Sequence, residues 1–412
     1  MDNLRIDAAR LWDSHMEMAR IGPGVAGGNN RQSVTDADRE GRDLFRSWCE
    51  AAGMSVTVDA MGNMFARRPG RNPNLPPIGA GSHLDTQPTG GRFDGVFGVL
   101  AALEVVRTLN DLGVETEAPI EIVNWTNEEG SRFGPPMVGS GVFAGAFTLE
   151  EAYATTDWAG ATFGAELERI GYKGSDPCGG RSYGAFFECH IEQGPILERE
   201  EKLVGVVTGV QGLSWYRITV AGATAHAGTT PPSARHDALV AAAEVVVAVN
   251  RLMRARGDTG RGTVGVIQAE PGSPNVIPDK VFFTVDLRNP SAAELAAMDA
   301  ELRAACDAAA ADHGVSFAIE RIWYSDPVVF APECVASVRA AAETSGLPWR
   351  EIVSGAGHDA VYVSQIAPTS MIFVPCKDGL SHNEAEYSSP EALAAGCEVL
   401  MRAMLDHAGR GA

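Results

Sequence analysis

Four short segments cluster carboxylates, in three of them beside a histidine, near the ends of apolar runs. Residues 81–86 read GSHLDT and lead into GGRFDG at 90–95; residues 124–130 read NWTNEEG, 189–195 read CHIEQGP, and 379–384 read GLSHNE. A neutral imidazole and a carboxylate are both suitable ligands for a divalent metal. His83 and Asp85 alternate onto one face of a strand end, where Asp85 is expected to hydrogen-bond the His83 ring and fix its tautomer. The adjacent Glu128 and Glu129 repel one another without a nearby cation, and they can divide the work, one binding metal and the other moving a proton. Each segment alone also has a plainer reading: a polar turn with Asp94 as a helix N-cap, a solvated acidic turn, or a structural histidine. Four such segments in one chain favour a shared site. His83, Asp94, Glu129, His190 and His382 form a nitrogen-and-oxygen donor set suited to two ions roughly 3.5–4 Å apart, bridged by one carboxylate. That set favours Zn²⁺, Mn²⁺, Co²⁺ or Ni²⁺ over calcium.

The elements needed to position these residues are legible as hydrophobic runs. Residues 54–58, 77–84, 119–125 and 371–374 read as strands, with a helix at 95–112 between the second and third. Thr35, three residues before Asp38, marks a capping-box-like start for another helix carrying Leu44, Phe45 and Trp48. Strand, helix and strand joined by short connections specify an α/β layer, a mixed, largely parallel sheet flanked by helices, and ligands bind such sheets at strand ends. From Gly212 the pattern changes. Strands at 214–220, 262–270, 280–287 and 315–323 and helices at 234–256 and 291–313 follow the βαββαβ order of a ferredoxin-like α+β domain. The expected organisation is therefore a body made of residues 1–212 and 326–412, interrupted by a domain at 213–325.

At 412 residues the chain exceeds what one core usually serves, so two or three domains are expected. Apolar residues at 45% and charged residues at 21% supply an ordinary globular core and exclude disorder as the main state. Lys and Arg number 33 against 53 Asp and Glu, a net charge of −20, which repels nucleic acid and anionic membrane surfaces; neither is an expected partner. No run approaches the roughly 18 apolar residues of a membrane span, and Met1-Asp2-Asn3-Leu4 lacks a basic-then-apolar plan, so a cytoplasmic location is expected. Seven scattered cysteines with no CxxC pair fit reduced thiols in the core. GPGVAG at 22–27 matches GxGxxG but follows a helix, which disfavours a dinucleotide site. Asn124-Trp125-Thr126 fits a glycosylation pattern, yet falls in a buried strand. The absence of GxSxG disfavours a serine hydrolase. His15, His236, His313 and His407 are expected on helix surfaces without a role, and His358 beside the site or in packing.

The ordered motifs HLDT (83–86), FDG (93–95), NEEGSRFG (127–134), HIEQGPILE (190–198), GATAHAGTTPP (222–232) and SHNE (381–384) span essentially the whole chain. In this they resemble the ureido-cleaving branch of the M20 metallopeptidase family, which includes N-carbamoyl-L-amino acid hydrolases, β-ureidopropionases and allantoate amidohydrolases. The nearest likeness is to the first. The resemblance implies that His83, Asp94 and His190 hold one ion and Asp94, Glu129 and His382 the second, with Glu128 as general base. It implies substrate contacts from Gln193, His226, Asn275 and Arg288, and an inserted domain that serves as lid and homodimerisation surface. An N-carbamoyl amino acid is an anion, opposed by the mean field of the chain, so local cations must capture it. Arg288 offers a planar fork for its carboxylate, and His226 a donor for the developing oxyanion. β-Ureidopropionase is the alternative activity, followed by allantoate hydrolysis and peptide hydrolysis. An inactive binding or scaffolding relative is argued against by the intact Glu128 and all five candidate ligands.

Overall fold

The computed structural model describes residues 4–409, which divide into two compact units: unit 1 runs to Thr208 and resumes at Phe330, and unit 2 is Gly209–Val329. Unit 1 opens with α1 (Ala8–Met18), α2 (Asp36–Ala51), β1 (Ser55–Val58), β2 (Met64–Arg68), β3 (Ile78–His83), α3 (Val96–Asp111) and β4 (Ile120–Trp125). Short helices α4 (Val138–Phe143), α5 (Leu149–Ala154) and α6 (Phe163–Arg169) lead to β5 (Ala185–Ile191), α7 (Ile196–Arg199) and β6 (Val204–Val210). Unit 2 carries β7 (Gly212–Ala221), β8 (Ala225–His226), α8 (Ala238–Arg256), β9 (Arg261–Thr263), β10 (Ile267–Glu270) and β11 (Val276–Ile277). It continues with β12 (Lys280–Asn289), α9 (Ala292–His313), β13 (Ser316–Ser325) and β14 (Val328–Val329). The chain returns through α10 (Pro332–Thr344), β15 (Trp349–Ser354), α11 (Asp359–Val363), β16 (Thr369–Val374) and α12 (Pro390–Ala408).

In unit 1 the strands lie in the order β1-β2-β4-β3-β5-β16-β6, with β15 also paired to β6. Strands β3, β4, β5 and β16 are buried at every position, as expected for strands covered on both faces, and they pair in parallel. β1 and β2 join antiparallel on one side, and β6 pairs antiparallel with β16 on the other. Neither β2 nor β6 was legible as periodicity, because MFARR is short with two arginines and VGVVTGV is broken by glycines. Helix α3 is apolar around most of its circumference because it is covered on several sides, by β3, α12 and α1. The registers set His83 opposite Trp125 and His190 opposite Phe373, so the carboxyl ends of adjacent parallel strands lie side by side.

Thr35 caps α2 by accepting the Asp38 amide, but the capping box is only half formed: Asp38 instead accepts from the Val34 amide and from Arg42. The buried Arg42 reaches on to the Gly62 carbonyl and the Thr126 hydroxyl, bracing the turn that carries Glu128 and Glu129.

Unit 2 has the sheet order β10-β12-β7-β13, antiparallel throughout, with β9 also on β12, which is the order a ferredoxin-like βαββαβ chain produces. Alternation along β7 and β12 turns Tyr216, Ile218, Val220, Val281, Phe283, Val285 and Leu287 toward α8 and α9. Two expectations need correction. The single strand at 262–270 is two, β9 and β10, whose registers on β12 differ by one residue, a bulge around Gly265. The helix expected from 234 starts at Ala238, capped by Asp237 and preceded by a 3₁₀ turn at Pro232–Ala234. His236 is therefore not on a helix; it bridges Ala223. His15, also expected at a helix surface, is fully buried in α1, and burial pushes its ring down to about 4. All seven cysteines are free, six of them buried. Among the described residues no helix is long and apolar enough to cross a membrane.

Candidate metal centre

His83 ends β3, His190 lies near the end of β5, Glu128 and Glu129 follow β4, and Asp94 precedes α3. The ring Nδ1 of His83 lies 2.9 Å from the Asp85 carbonyl and that of His190 2.9 Å from the Ile191 carbonyl. A carbonyl only accepts, so each ring donates through Nδ1–H, and both Nε2 atoms are left to face Asp94 Oδ1, at 3.9 and 3.0 Å. Without a proton or a cation between them these lone pairs repel. Asp94 does not cap α3, which starts at Val96 after Gly95 with no side-chain cap. Gly95 is required here: its φ is +67°, and a Cβ would strike the His83 ring.

Asp85 departs from expectation. Its carboxylate does not hold the His83 ring, which bonds its main-chain carbonyl; the two carboxylate oxygens accept the amides of Glu128 and Glu129 at 3.3 and 3.2 Å. It therefore orients the Glu-Glu turn. Both glutamates are buried, at 8% and 9% exposure, which excludes a solvated acidic turn. Glu128 Oε2 lies 3.3 Å from His83 Nε2, and Glu129 Oε2 accepts from Gln87 at 2.6 Å and lies 3.4 Å from His382 Nε2. The second oxygen of Asp94 lies 3.5 Å from His382 Nε2 and accepts from Ser381 Oγ at 2.6 Å and Gln193 Nε2 at 2.9 Å.

Two triads result, His83–Asp94–His190 and Asp94–Glu129–His382, each with ligand atoms within 4.8 Å of one another and with Asp94 common to both. The electrostatics show what the cluster lacks. Burial, reinforced by Asp359, Glu129, Asp85 and Asp94, holds the Glu128 carboxyl well above the usual range, and burial with Asp94 and Asp85 does the same to Glu129. Burial opposes ionisation of Asp94 too, but His190, His83 and His382 outweigh it and keep it charged. Burial likewise opposes charge on His190, yet Asp94 raises its ring to about 9, while burial drives His83 to about 4. The partners of Asp94 and Glu129 are amides, a hydroxyl and imidazoles. Crowded carboxylates with converging ring nitrogens fit divalent cations, and the residues present suit two.

Several participants were not evident in the sequence. Glu386 is buried and accepts the amides of Phe93 and Asp94 at 2.9 and 3.1 Å; Glu188 accepts from Ser82 Oγ at 2.6 Å and the Ala360 amide at 2.8 Å. A charge inside the apolar run AFFECHI was the available signal for Glu188; Glu386 had none. His358 packs against the His190 ring, centroids 4.4 Å apart, and its Nε2 meets Ser354 Oγ at 3.0 Å.

The remaining candidates lie in unit 2. His226 in β8 pairs with Val276 in β11, beside Asn275, whose carbonyl accepts the Ala227 amide. The His226 Nδ1 accepts amides from Gly228 and Thr229 at 3.0 and 3.2 Å, so a neutral ring carries its proton on Nε2, free to donate. Arg288 in β12 already engages Asp286 through Nε and Nη2 at 2.9–3.2 Å, so its fork is not wholly open to a substrate carboxylate.

Over residues 79–406 the sequence matches the Peptidase family M20/M25/M40. An N-carbamoyl-L-amino-acid amidohydrolase of Rhizobium meliloti is 54% identical over 407 residues, covering 99% of this chain and 98% of its own. An N-carbamoyl-L-amino acid amidohydrolase of Geobacillus stearothermophilus is 39% identical, covering 96% and 97%. The crystal structure of an amidase of the hydantoinase/carbamoylase family from Burkholderia multivorans superposes with a TM-score of 0.96 at 57% identity, covering 98% of each chain. The mixed sheet, the paired ligand triads and these full-length similarities lead to one conclusion: the chain belongs to the M20 peptidase family.

Proposed function

We propose that this hydrolase cleaves the ureido C–N bond of N-carbamoyl-L-amino acids, releasing the L-amino acid, carbon dioxide and ammonia. The observation that carries the reading is the 54% identity, over nearly the full length of both chains, to an N-carbamoyl-L-amino-acid amidohydrolase. His83, Asp94 and His190 would hold one ion and Asp94, Glu129 and His382 the other, Asp94 bridging. Zn²⁺, Mn²⁺, Co²⁺ and Ni²⁺ all suit these nitrogen and oxygen donors. Such ions supply Lewis-acid polarisation of the ureido carbonyl and acidify an attacking water.

The chain's own residues do the rest. Glu128, buried with its Oε2 3.3 Å from His83 Nε2, takes the water proton as attack proceeds and returns it to the departing ammonia. His226 donates Nε2–H to the oxyanion that develops on the ureido carbonyl. Arg288, Asn275 and Gln193 bind the substrate, Arg288 through its carboxylate. Unit 2 acts as lid and as homodimerisation surface. Ammonia release from N-carbamoyl-L-α-amino acids, N-carbamoyl-β-alanine and allantoate, on metal-reconstituted protein, tests the reading. Preference for the α-series is expected; faster turnover of N-carbamoyl-β-alanine or allantoate overturns it.

A further inference from the structure

We propose that Glu384 is a positioning residue: by gripping the main-chain amides of loop 24–28, it sets how firmly the triad Asp94–Glu129–His382 holds its ion. The inference rests on the ligand assignment proposed above.

The two triads are built differently. His83 and His190 are buried strand residues whose neighbours are fixed by sheet hydrogen bonds. His382 lies between a 3₁₀ turn at Lys377–Gly379 and the start of α12 at Pro390, on no helix or strand. Its side chain is 52% exposed and its φ is +53°, a left-handed conformation that a non-glycine residue holds only when its surroundings impose it. A ligand on such a segment needs external restraint to stay within the tolerance of a coordination site.

The restraint comes from two glutamates on the same segment. Glu386 fastens one side, accepting the Phe93 and Asp94 amides, so that the segment is tied to the turn carrying Asp94. Glu384, only two residues from His382, fastens the other: its carboxylate accepts the amides of Val25 at 3.3 Å, Gly28 at 3.1 Å and, at closer range, Ala26. Three converging amides make a concave anion seat. The seat is itself anchored. The Gly24 amide closes the loop onto the Gly28 carbonyl at 2.9 Å, Asn29 and Gly90 exchange main-chain hydrogen bonds at 2.9 and 3.0 Å, and Arg92 Nε donates to the Gly27 carbonyl at 2.6 Å. Thus the GPGVAG sequence, which matches a nucleotide-loop pattern, clasps a side chain of this chain beside a candidate ligand. The loop that supplies the amides lies ahead of the family match at 79–406, while Glu384 lies within it.

The experiment is equilibrium dialysis of metal-depleted full-length protein against Mn²⁺, with bound ion counted by elemental analysis. The parent should bind two ions. Glu384→Ala should keep the tighter ion and bind the other about 10–100-fold more weakly, the usual cost of losing a group that orients a ligand. Glu384→Gln, which retains a carbonyl oxygen for the amides, should restore most of that loss. Gly24→Ala perturbs the clasp from its other side, because a Cβ there meets the Glu384 carboxylate; it should reproduce the selective weakening without altering the His382 segment. Circular dichroism of the metal-free variants should match the parent, and a Glu384→Ala protein that does not fold is replaced by the Gly24→Ala result. His382→Ala is the control: retention of both ions by that variant refutes the ligand assignment. If His382→Ala loses one ion while Glu384→Ala and Gly24→Ala bind both as the parent does, or lose both equally, the positioning role is overturned.

Discussion

Replacing Glu128 by Gln should move two measurements in opposite directions. Glutamine keeps the shape but can neither take nor return a proton, so turnover should fall by about 10²–10⁴-fold, equivalent to about 3–5 kcal/mol of transition-state stabilisation. Both ions should remain, since Glu128 is in neither triad. The metal-free protein should become more stable. Burial first, then Asp359, Glu129, Asp85 and Asp94, hold the Glu128 carboxyl well above the usual range, so the folded chain binds that proton more tightly than the unfolded chain does. As pH rises past the ordinary carboxylate range the unfolded chain releases the proton freely while the fold resists, and stability drops. A glutamine at 128 removes that loss. The metal-free variant should therefore melt above the metal-free parent at neutral pH, and the difference should close near about pH 4, where both side chains are neutral. Steady-state kinetics, metal counting and melting across pH read all three outcomes. Unchanged turnover removes Glu128 from the base role, and identical melting at neutral pH refutes the picture of a carboxyl crowded by buried acids.

Two further outcomes follow from the same geometry. His190, raised to about 9 by Asp94 against the opposing effect of burial, is protonated at neutral pH without metal, whereas His83, pushed down to about 4, is not. An ion must displace the His190 proton, so Mn²⁺ affinity at the His83–Asp94–His190 triad should rise with pH through neutrality and level off above about 9; a flat profile between about pH 6 and 9 refutes this. Arg288→Ala should raise KM for carboxylate-bearing substrates with little change in kcat. Because Asp286 already shares the guanidinium, the expected cost is at the low end for a charge pair, about 2 kcal/mol or roughly thirtyfold, and an unchanged KM excludes carboxylate capture by this residue.

Much of the site was legible because His83, His190 and the Glu128–Glu129 pair end apolar runs. A hydrophobic strand that stops at a histidine or an acid announces a polar end, and in a parallel sheet those ends are brought together by the strand pairing itself. Glu188 was half legible, as a charge inside AFFECHI. Gln87, Ser381, Glu384 and Glu386 were not, since their roles depend on which amides and carboxylates lie opposite them, 42 residues away for Gln87 and hundreds away for the others. Asp85 illustrates the limit. Spacing placed its carboxylate on the His83 ring, but the backbone turns so that its carbonyl meets the ring while the carboxylate holds the Glu128 and Glu129 amides. Residue spacing specifies which side chains can be near, not which atom of a residue is presented.

From the sequence alone came the α/β layer, the ferredoxin-like order of the inserted segment, the donor types and the family, all of which reside in local hydrophobic period and in short motifs. Tertiary structure alone decided the tautomers of His83 and His226, the crowding that raises the carboxyls of Glu128 and Glu129 well above their usual range, and the clasp on Glu384. Those depend on burial and on hydrogen-bond partners far apart in the chain, and electrostatic energies in a desolvated pocket are set by distance in space rather than by position in sequence.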